Sequence, residues 1–318
     1  MAFGPVPSRR LGRSVGINNI PAKFCSYSCV YCQLGRTINL TTNRRQFFSL
    51  NLILKETIRK IEEIKKRDEK IDFLTFVPDG EPTLDINIGA EIDILKEIGI
   101  PIAVLTNSSL LWRSDIREDL LNIDLVSLKV DAVTPSFWRR INRPHKSLRL
   151  LKILKGIKDF DNHYKGTIIT ETMLIGGIDY SLEIKKIADL LSELNIYKAY
   201  IAIPTRPPSE SWVKTPNENT LNMAFQVFSD ILGRKKVEYL TGYEGSTFVS
   251  TGKVEKDILS ITSVHPIRED GLKELLKTAG ASWQIVEQLL AEEKIVKIVY
   301  NNNTFYIRKM PTIKTTIK

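Results

Sequence analysis

The chain has 318 residues, 42% of them hydrophobic and 26% charged, with a net charge of +9. That length suits one large domain plus a small one, around a sizeable core. No apolar run approaches the roughly 20 residues of a bilayer span, and residues 1–10 lack an apolar signal core, so the expectation is a cytoplasmic protein with no membrane partner.

Residues 1–50 contain Arg9, Arg10, Arg13, Lys23, Arg36, Arg44 and Arg45 and no Asp or Glu. A segment of one sign favours a partner of the other, such as phosphate, carboxylate or an anionic cluster; a solubilising face is the plainer alternative. Arg9, Arg10 and Arg13, with Arg143 and His145, are candidates to face an anionic substrate. The same stretch carries a first strand expected around Ser14–Asn18 and all three cysteines of the chain, Cys25, Cys29 and Cys32. An odd, clustered set argues for metal ligation rather than a disulfide framework. A helix is expected near Leu52–Lys66.

From residue 70 to about 240, short Val-, Ile-, Leu- and Thr-rich runs alternate with amphipathic stretches. The runs Phe73–Val77, Ile102–Leu105, Leu125–Val130, Thr167–Met173 and Ala199–Ile203 read as strands. Helices are expected near 86–98, 115–121, 147–160, 181–194 and 217–232. This alternation predicts right-handed βαβ units and a parallel α/β sheet of about six βα units. Six units suit a partial, open (β/α)6 TIM-like barrel, with a doubly wound sheet as the competing topology. Either puts the active site at the C-terminal ends of the strands. The segments there are Pro78-Asp79-Gly80-Glu81-Pro82, Thr106-Asn107-Ser108, Asp131, Ile175-Gly176-Gly177 and Pro204-Thr205-Arg206. For Lys129 and Asp131 a strand-end ion pair is as good a reading as ligand contact. Glu171 and Thr172 read as the polar face of a pleated strand.

Beyond residue 240 the composition changes. Residues 255–308 read as three helices and then two strands around Asn301-Asn302-Asn303, a pattern like a winged helix-turn-helix, which predicts domains at 1–245 and 246–318. The third helix, from Ala281-Ser282-Trp283, keeps Ile285, Val286, Leu289 and Leu290 on one face. It carries Glu287, Glu292 and Glu293 and no Lys or Arg before Lys294, the wrong sign for phosphate contact. A protein-partner or lid role is therefore favoured over nucleic-acid binding, with Trp283 as a core anchor. Tyr243 and Glu244 are loop residues placed to cap the barrel, and Pro311–Lys318 is an expected frayed tail.

Cys25-Ser-Tyr-Ser-Cys29-Val-Tyr-Cys32 spaces its thiols as C-x3-C-x2-C. Three ligands leave a coordination position open for substrate or cofactor. A zinc site completed by Asp or by one of His145, His163 and His265 is the alternative reading. With Tyr31 before the last cysteine, the motif resembles the signature of the radical SAM superfamily. The resemblance implies a [4Fe-4S] cluster on Cys25, Cys29 and Cys32 whose unique iron chelates S-adenosylmethionine. One-electron reduction of that cofactor yields methionine and a 5′-deoxyadenosyl radical that abstracts hydrogen from substrate. It also implies an electron donor such as ferredoxin or flavodoxin. Asp79-Gly80-Glu81-Pro82 resembles the superfamily's GGEP loop, with Glu81 expected on the methionine ammonium and Gly80 and Pro82 beside it. Asn107 and Ser108 are expected to contact the cofactor, Lys129 and Asp131 to border it with Asp131 toward the ribose, Gly176 to approach adenine, and Arg206 to pair with the methionine carboxylate.

Gly4-Pro5-Val6-Pro7-Ser8-Arg9-Arg10-Leu11-Gly12-Arg13-Ser14, together with Cys32-Gln33-Leu34-Gly35-Arg36-Thr37, is similar to a group related to the tRNA wyosine synthases. With three cysteines the chain has none for a second cluster. The expected reaction is hydrogen abstraction from an anionic small molecule or a tRNA. A glycyl-radical-type activating enzyme is the runner-up. A metal-thiolate redox sensor binding DNA or protein is the alternative from outside enzymology; Glu81 and the strand-end loops, which a sensor does not need, speak against it.

Overall fold

The computed structural model describes residues 1–240, 253–264 and 266–309. The expectations placed on Tyr243, Glu244, His265, the 245/246 boundary and the C-terminal tail lie outside the described residues.

β1 (Ala2–Ser8) and β2 (Gly12–Ile17) form an antiparallel hairpin. Two short strands, β3 (Phe24–Cys25) and β4 (Asn39–Leu40), pair in the cysteine-bearing loop. Helix α1 (Leu50–Lys65) follows, its first turn capped by the Ser49 side chain, which accepts from the Leu52 amide. Then come β5 (Phe73–Phe76), α2 (Ile88–Lys96), β6 (Ile102–Thr106), α3 (Ser114–Asp119) and β7 (Leu125–Lys129). After α4 (Pro135–Asn142) and α5 (Leu150–Asp161) the alternation resumes with β8 (Thr167–Met173), α6 (Glu183–Ser192), β9 (Lys198–Ala202), α7 (Glu218–Leu232) and β10 (Val237–Leu240).

The large sheet runs β1-β2-β5-β6-β7-β8-β9-β10, and from β2 onward every neighbouring pair is parallel. Spatial order follows chain order without a switch point, so the doubly wound topology gives way to the curled partial barrel. The two faces are packed differently. Val104, Val126 and Leu128 point outward to a core shared with Ile53, Ile92, Ile153, Ile187 and Phe228 of the helices. Ala103, Leu125, Ile169, Tyr200, Ala202 and Leu240 point inward and plug one end of the lumen. Period-two alternation then places Ser127, Lys129, Glu171 and Met173 further along the same inner face. Apolar residues close the floor and polar ones line the mouth.

Six of the parallel strands agree with the sequence reading. The seventh, β10, is only four residues long and follows Arg234-Lys235-Lys236, so it gave no alternation to read. β1 carries Pro5 and Pro7, which an edge strand tolerates and which otherwise signal a loop. α4 begins with proline at its first turn and is short and basic at its end.

The C-terminal residues form α8 (Val254–Val264), β11 (Ile267–Arg268), α9 (Glu269–Thr278), α10 (Gln284–Ala291), β12 (Ile295–Tyr300) and β13 (Asn303–Arg308). The strands are ordered β11-β13-β12. Asn301 and Asn302 both take positive φ, 46° and 59°, as a two-residue type I′ hairpin requires. This unit has its own core of Ile258, Leu272, Leu275, Val286 and Leu289, with Trp283 and Val6 of β1 packed against it. Among the described residues it meets the barrel at Val6, where Lys60 Nζ stands 3.8 Å from Asp257, and where the Tyr300 hydroxyl donates to the Pro204 carbonyl at 3.2 Å. The hairpin tip therefore lies at the barrel mouth.

Candidate active site

The cysteine loop leaves β2 and is clasped from two sides. The α4 C-terminus accepts the Val30 amide through the Ile141 carbonyl at 2.9 Å, and the Ser28 amide through Asn142 and Arg143 at 3.1 Å. Below this, Trp138 Nε1 donates to the Tyr27 hydroxyl at 3.0 Å, with the two rings edge to face. On the other side Ser209 Oγ donates to the Cys29 and Val30 carbonyls, each at 2.9 Å. Glu210 adds its amide to the Val30 carbonyl at 3.1 Å and its carboxylate to Arg36 at 2.8 Å and to Arg143. The loop's shape is thus fixed largely by bonds to its backbone.

Gly80 sits where the loop after β5 touches the cysteine loop. A Cβ there would lie 1.7 Å from the Phe24 carbonyl oxygen, so only glycine permits the approach. The neighbouring Glu81 amide donates to that same oxygen at 3.1 Å.

Each thiol stands in a distinct polar setting. Asn107 Nδ2 donates to Cys25 Sγ at 3.4 Å, and Asn142 Nδ2 to Cys29 Sγ at 3.5 Å. The Lys23 ammonium and the Leu34 amide favour the thiolate of Cys32. Burial nevertheless pushes all three thiols up, Cys29 to about 12, with neighbouring thiols and the carboxylates of Glu81 (at Cys25), Asp131 (at Cys29) and Asp79 (at Cys32) adding to it. Three thiolates become compatible with this site only when a cationic centre compensates them, as an iron–sulfur cluster does. N–H donors aimed at sulfur fit ligating thiolates. Among the described residues no three His, Cys, Asp or Glu side chains are gathered to hold a single metal ion; a cubane takes one thiolate per iron, so its ligands need not converge on a point.

A cavity of about 360 Å³ opens beside the loop, lined by Cys32, Gly80, Asn107, Lys129 and Arg206 and by the inner faces of the strands. Four of the nine residues expected at the cofactor therefore line it. Arg206 Nη1 donates to Gln33 Oε1 at 2.9 Å there.

The other five lie elsewhere, each for a stated reason. Glu81 is buried with both oxygens engaged: Oε1 accepts from Thr83 and Thr106 hydroxyls at 2.6 and 2.7 Å, and Oε2 from the Asn107 amide at 2.7 Å. These bonds make it a buttress of the strand-end loops. Pro82 is buried in the short helical turn capped by Glu81. Ser108, at φ 65°, turns the chain under Asn107 and is buried. Asp131 is buried too: its Oδ1 accepts the Met173 amide at 2.8 Å, and its Oδ2 accepts from Asn142 at 2.7 Å and from the Tyr31 hydroxyl. Gly176 allows close packing against the Thr215 carbonyl, 2.6 Å from where its Cβ would be.

The basic N-terminal segment is also spent differently from expectation. Arg44, 3% exposed, pairs with Asp115 at 2.9 Å and with Asp119, and donates to the Thr83 and Asp85 carbonyls. Arg45 stacks over Phe24 and Phe47. Arg36 is paired with Glu210. These cations tie the acid-free segment to acidic elements further along the chain. From this segment Arg10 lines the lumen, as expected, and it meets Glu171.

Glu171 is the functional candidate that sequence reading missed. It lies between Lys129 and Arg10, bonded to both. Burial opposes its ionisation, yet the two cations hold its carboxyl down at about 2. Burial likewise opposes the Lys129 charge, and Glu171 with Asp131 outweighs it, raising Lys129 above the usual lysine value. Glu171 and Lys129 are therefore both charged at neutral pH; the charged side chains lining the cavity are Arg10, Lys129, Arg206 and Glu171, with the Asp131 carboxylate 4.0 Å from Lys129. Two inward carboxylate-and-lysine positions facing each other on β7 and β8, in register, were the available signal.

A parallel partial barrel carrying a three-cysteine loop at its mouth defines a class of protein that activates a bound cofactor by one-electron chemistry. A sequence profile of the radical SAM superfamily matches residues 19–201, more than half of the chain, and the chain belongs to that superfamily. It is 51% identical over 311 residues to a UPF0026 protein of Methanocaldococcus jannaschii, covering 98% of this chain and 96% of the relative. A UPF0026 protein of a Synechocystis strain is 36% identical over 207 residues, 64% of this chain and 76% of its own. Among solved structures, a radical SAM methyltransferase from Sphaerobacter thermophilus superposes with a TM-score of 0.56 at 14% identity, over 72% of this chain and 66% of that one. The last likeness is one of fold. The chain is a radical SAM enzyme, and the superfamily uses a [4Fe-4S] cluster and S-adenosylmethionine with an electron donor. The redox-sensor reading gives way to this. No helix among the described residues is long and apolar enough to cross a membrane.

Proposed function

We propose that Cys25, Cys29 and Cys32 ligate the [4Fe-4S] cluster and that Gly80, Asn107, Lys129 and Arg206 border bound S-adenosylmethionine. The cluster, when bound, supplies the electron that cleaves the cofactor. The chain's own residues hold the cysteine loop, shape the cavity and keep its charge. The observation that carries this reading is the pair of N–H···S contacts to Cys25 and Cys29 beside a cavity that Cys32 lines.

The substrate we assign is a small anionic molecule in the barrel lumen. Three cations line the cavity, Arg10, Lys129 and Arg206, against the carboxylate of Glu171, and this excess supports an anion. A cavity of about 360 Å³, with the Tyr300 hairpin at its mouth, favours a small molecule over a tRNA. Ferredoxin or flavodoxin is the reductant in this reading, the cytoplasm its place, and the C-terminal unit a winged-helix-like lid or protein-contact module. The test is anaerobic reconstitution with iron and sulfide, then reductant and S-adenosylmethionine, with chromatography for 5′-deoxyadenosine. Product from the native chain and none from Cys29→Ala is expected; equal product from both would remove the cysteine from the chemistry.

A further inference from the structure

Asn142, the last residue of α4, is 2% exposed. Its Nδ2 lies 2.7 Å from Asp131 Oδ2, 3.2 Å from the Tyr31 hydroxyl and 3.5 Å from Cys29 Sγ. The direction of that amide is fixed by chemistry. Asp131 already accepts the Met173 amide and the Tyr31 hydroxyl proton, so the group facing it must be the NH2 and not the carbonyl. The amide hydrogen not used by Asp131 then points at Cys29 and Tyr31.

We infer that Asn142 is a positioning residue that sets the reduction potential of the cluster through its N–H···S bond to Cys29. This rests on the cluster reading above. Reduction adds one electron from an external low-potential donor, makes the cluster one unit more negative, and makes or breaks no bond to the protein. A donor on a ligating sulfur therefore stabilises the reduced state more than the oxidised one. Asn107 makes a similar contact to Cys25, but it also lines the cavity. Asn142 does not line that cavity, and so separates electronic tuning from cofactor contact.

The experiment is a potentiometric EPR titration of the reconstituted native chain, Asn142→Leu and Asn142→Ser, with iron counted in each. Asn142→Ser is the safer fold, because the smaller polar side chain leaves room for water at Asp131. The expected result is unchanged iron content and, at the native midpoint potential, a roughly tenfold lower ratio of reduced to oxidised cluster in the variants, a shift of about 59 mV for a one-electron couple. An unchanged midpoint in either loaded variant overturns the inference while leaving the cluster reading intact. Loss of iron from both variants with the native chain loaded makes Asn142 structural and also overturns it. Absence of a cluster from the native chain overturns the proposed function itself.

Discussion

At the scale of single residues, two buried carboxylates titrate in opposite directions and make opposite predictions. Glu171 has its carboxyl held at about 2 by Lys129 and Arg10 against its own burial. Its folded value lies below the unfolded one of about 4.3, so it contributes stability above that pH, on the order of 3 kcal/mol, which is lost as pH falls toward 2. Glu171→Gln leaves two cations facing each other and is expected to cost about 3 kcal/mol near pH 7. Denaturant titrations should show that deficit shrinking below pH 4; a deficit constant with pH would mean lost packing instead. Glu91 is the reverse case. Burial, reinforced by Asp85, raises its carboxyl to about 8, against the Asn19 hydrogen bond at 3.0 Å. Its ionisation therefore penalises the folded state increasingly from about pH 4 to 8, by at most about 5 kcal/mol. Glu91→Gln keeps the shape and the Asn19 bond. It should match the native chain at pH 4 and exceed it in stability at pH 9, and equal stabilities at both values would contradict this.

At the scale of elements, the site depends on a strand-end loop pressed against the cysteine loop at Gly80. Gly80→Ala forces a Cβ into the Phe24 carbonyl, at a cost of about 1–3 kcal/mol for overpacking. The barrel should persist by circular dichroism while the iron bound on reconstitution drops sharply; full loading would show that the two loops move apart freely. Legibility follows the same division. The βα repeats were readable because apolar runs of four to seven residues alternate with amphipathic ones, and the cysteine motif because ligand spacing is local. Gly80, Asn107, Lys129 and Arg206 were readable as strand-end residues and do line the cavity. The protein partners of Glu81, Asp131 and Gly176 are not legible, because a sequence gives position at a strand end but not which partner engages a side chain. Asp131 is spent on Met173, Asn142 and Tyr31, none near it in the chain except Asn142. Glu171 is not legible because its meaning lies in Lys129, one strand away, and in Arg10, 161 residues earlier in the chain.

At the scale of the whole molecule, a barrel and a C-terminal unit with separate cores are joined through a small set of contacts. Val6 of the edge strand enters the C-terminal core, Lys60 faces Asp257 at 3.8 Å, and Tyr300 reaches Pro204 beside the cavity. Val6→Asp puts a charge into that apolar seam. It is expected to release the C-terminal unit while leaving the barrel folded. Small-angle scattering would register this as a larger radius of gyration with little change in helix content; an unchanged radius would mean that the other contacts hold the unit alone. Closure of the mouth and the internal charge of the barrel belong together, since a buried net charge keeps its strength only where water is excluded.

The central proposal is a cluster held by Cys25, Cys29 and Cys32 with one iron open to S-adenosylmethionine. The most direct measurement is the low-temperature EPR spectrum of the reduced, reconstituted protein before and after S-adenosylmethionine is added, in the native chain and in Cys25→Ala, Cys29→Ala and Cys32→Ala. A cubane signal that changes shape on addition of the cofactor, and that each cysteine variant abolishes, is the predicted result. A cluster signal indifferent to S-adenosylmethionine, or one that survives loss of any of the three cysteines, would contradict the assignment.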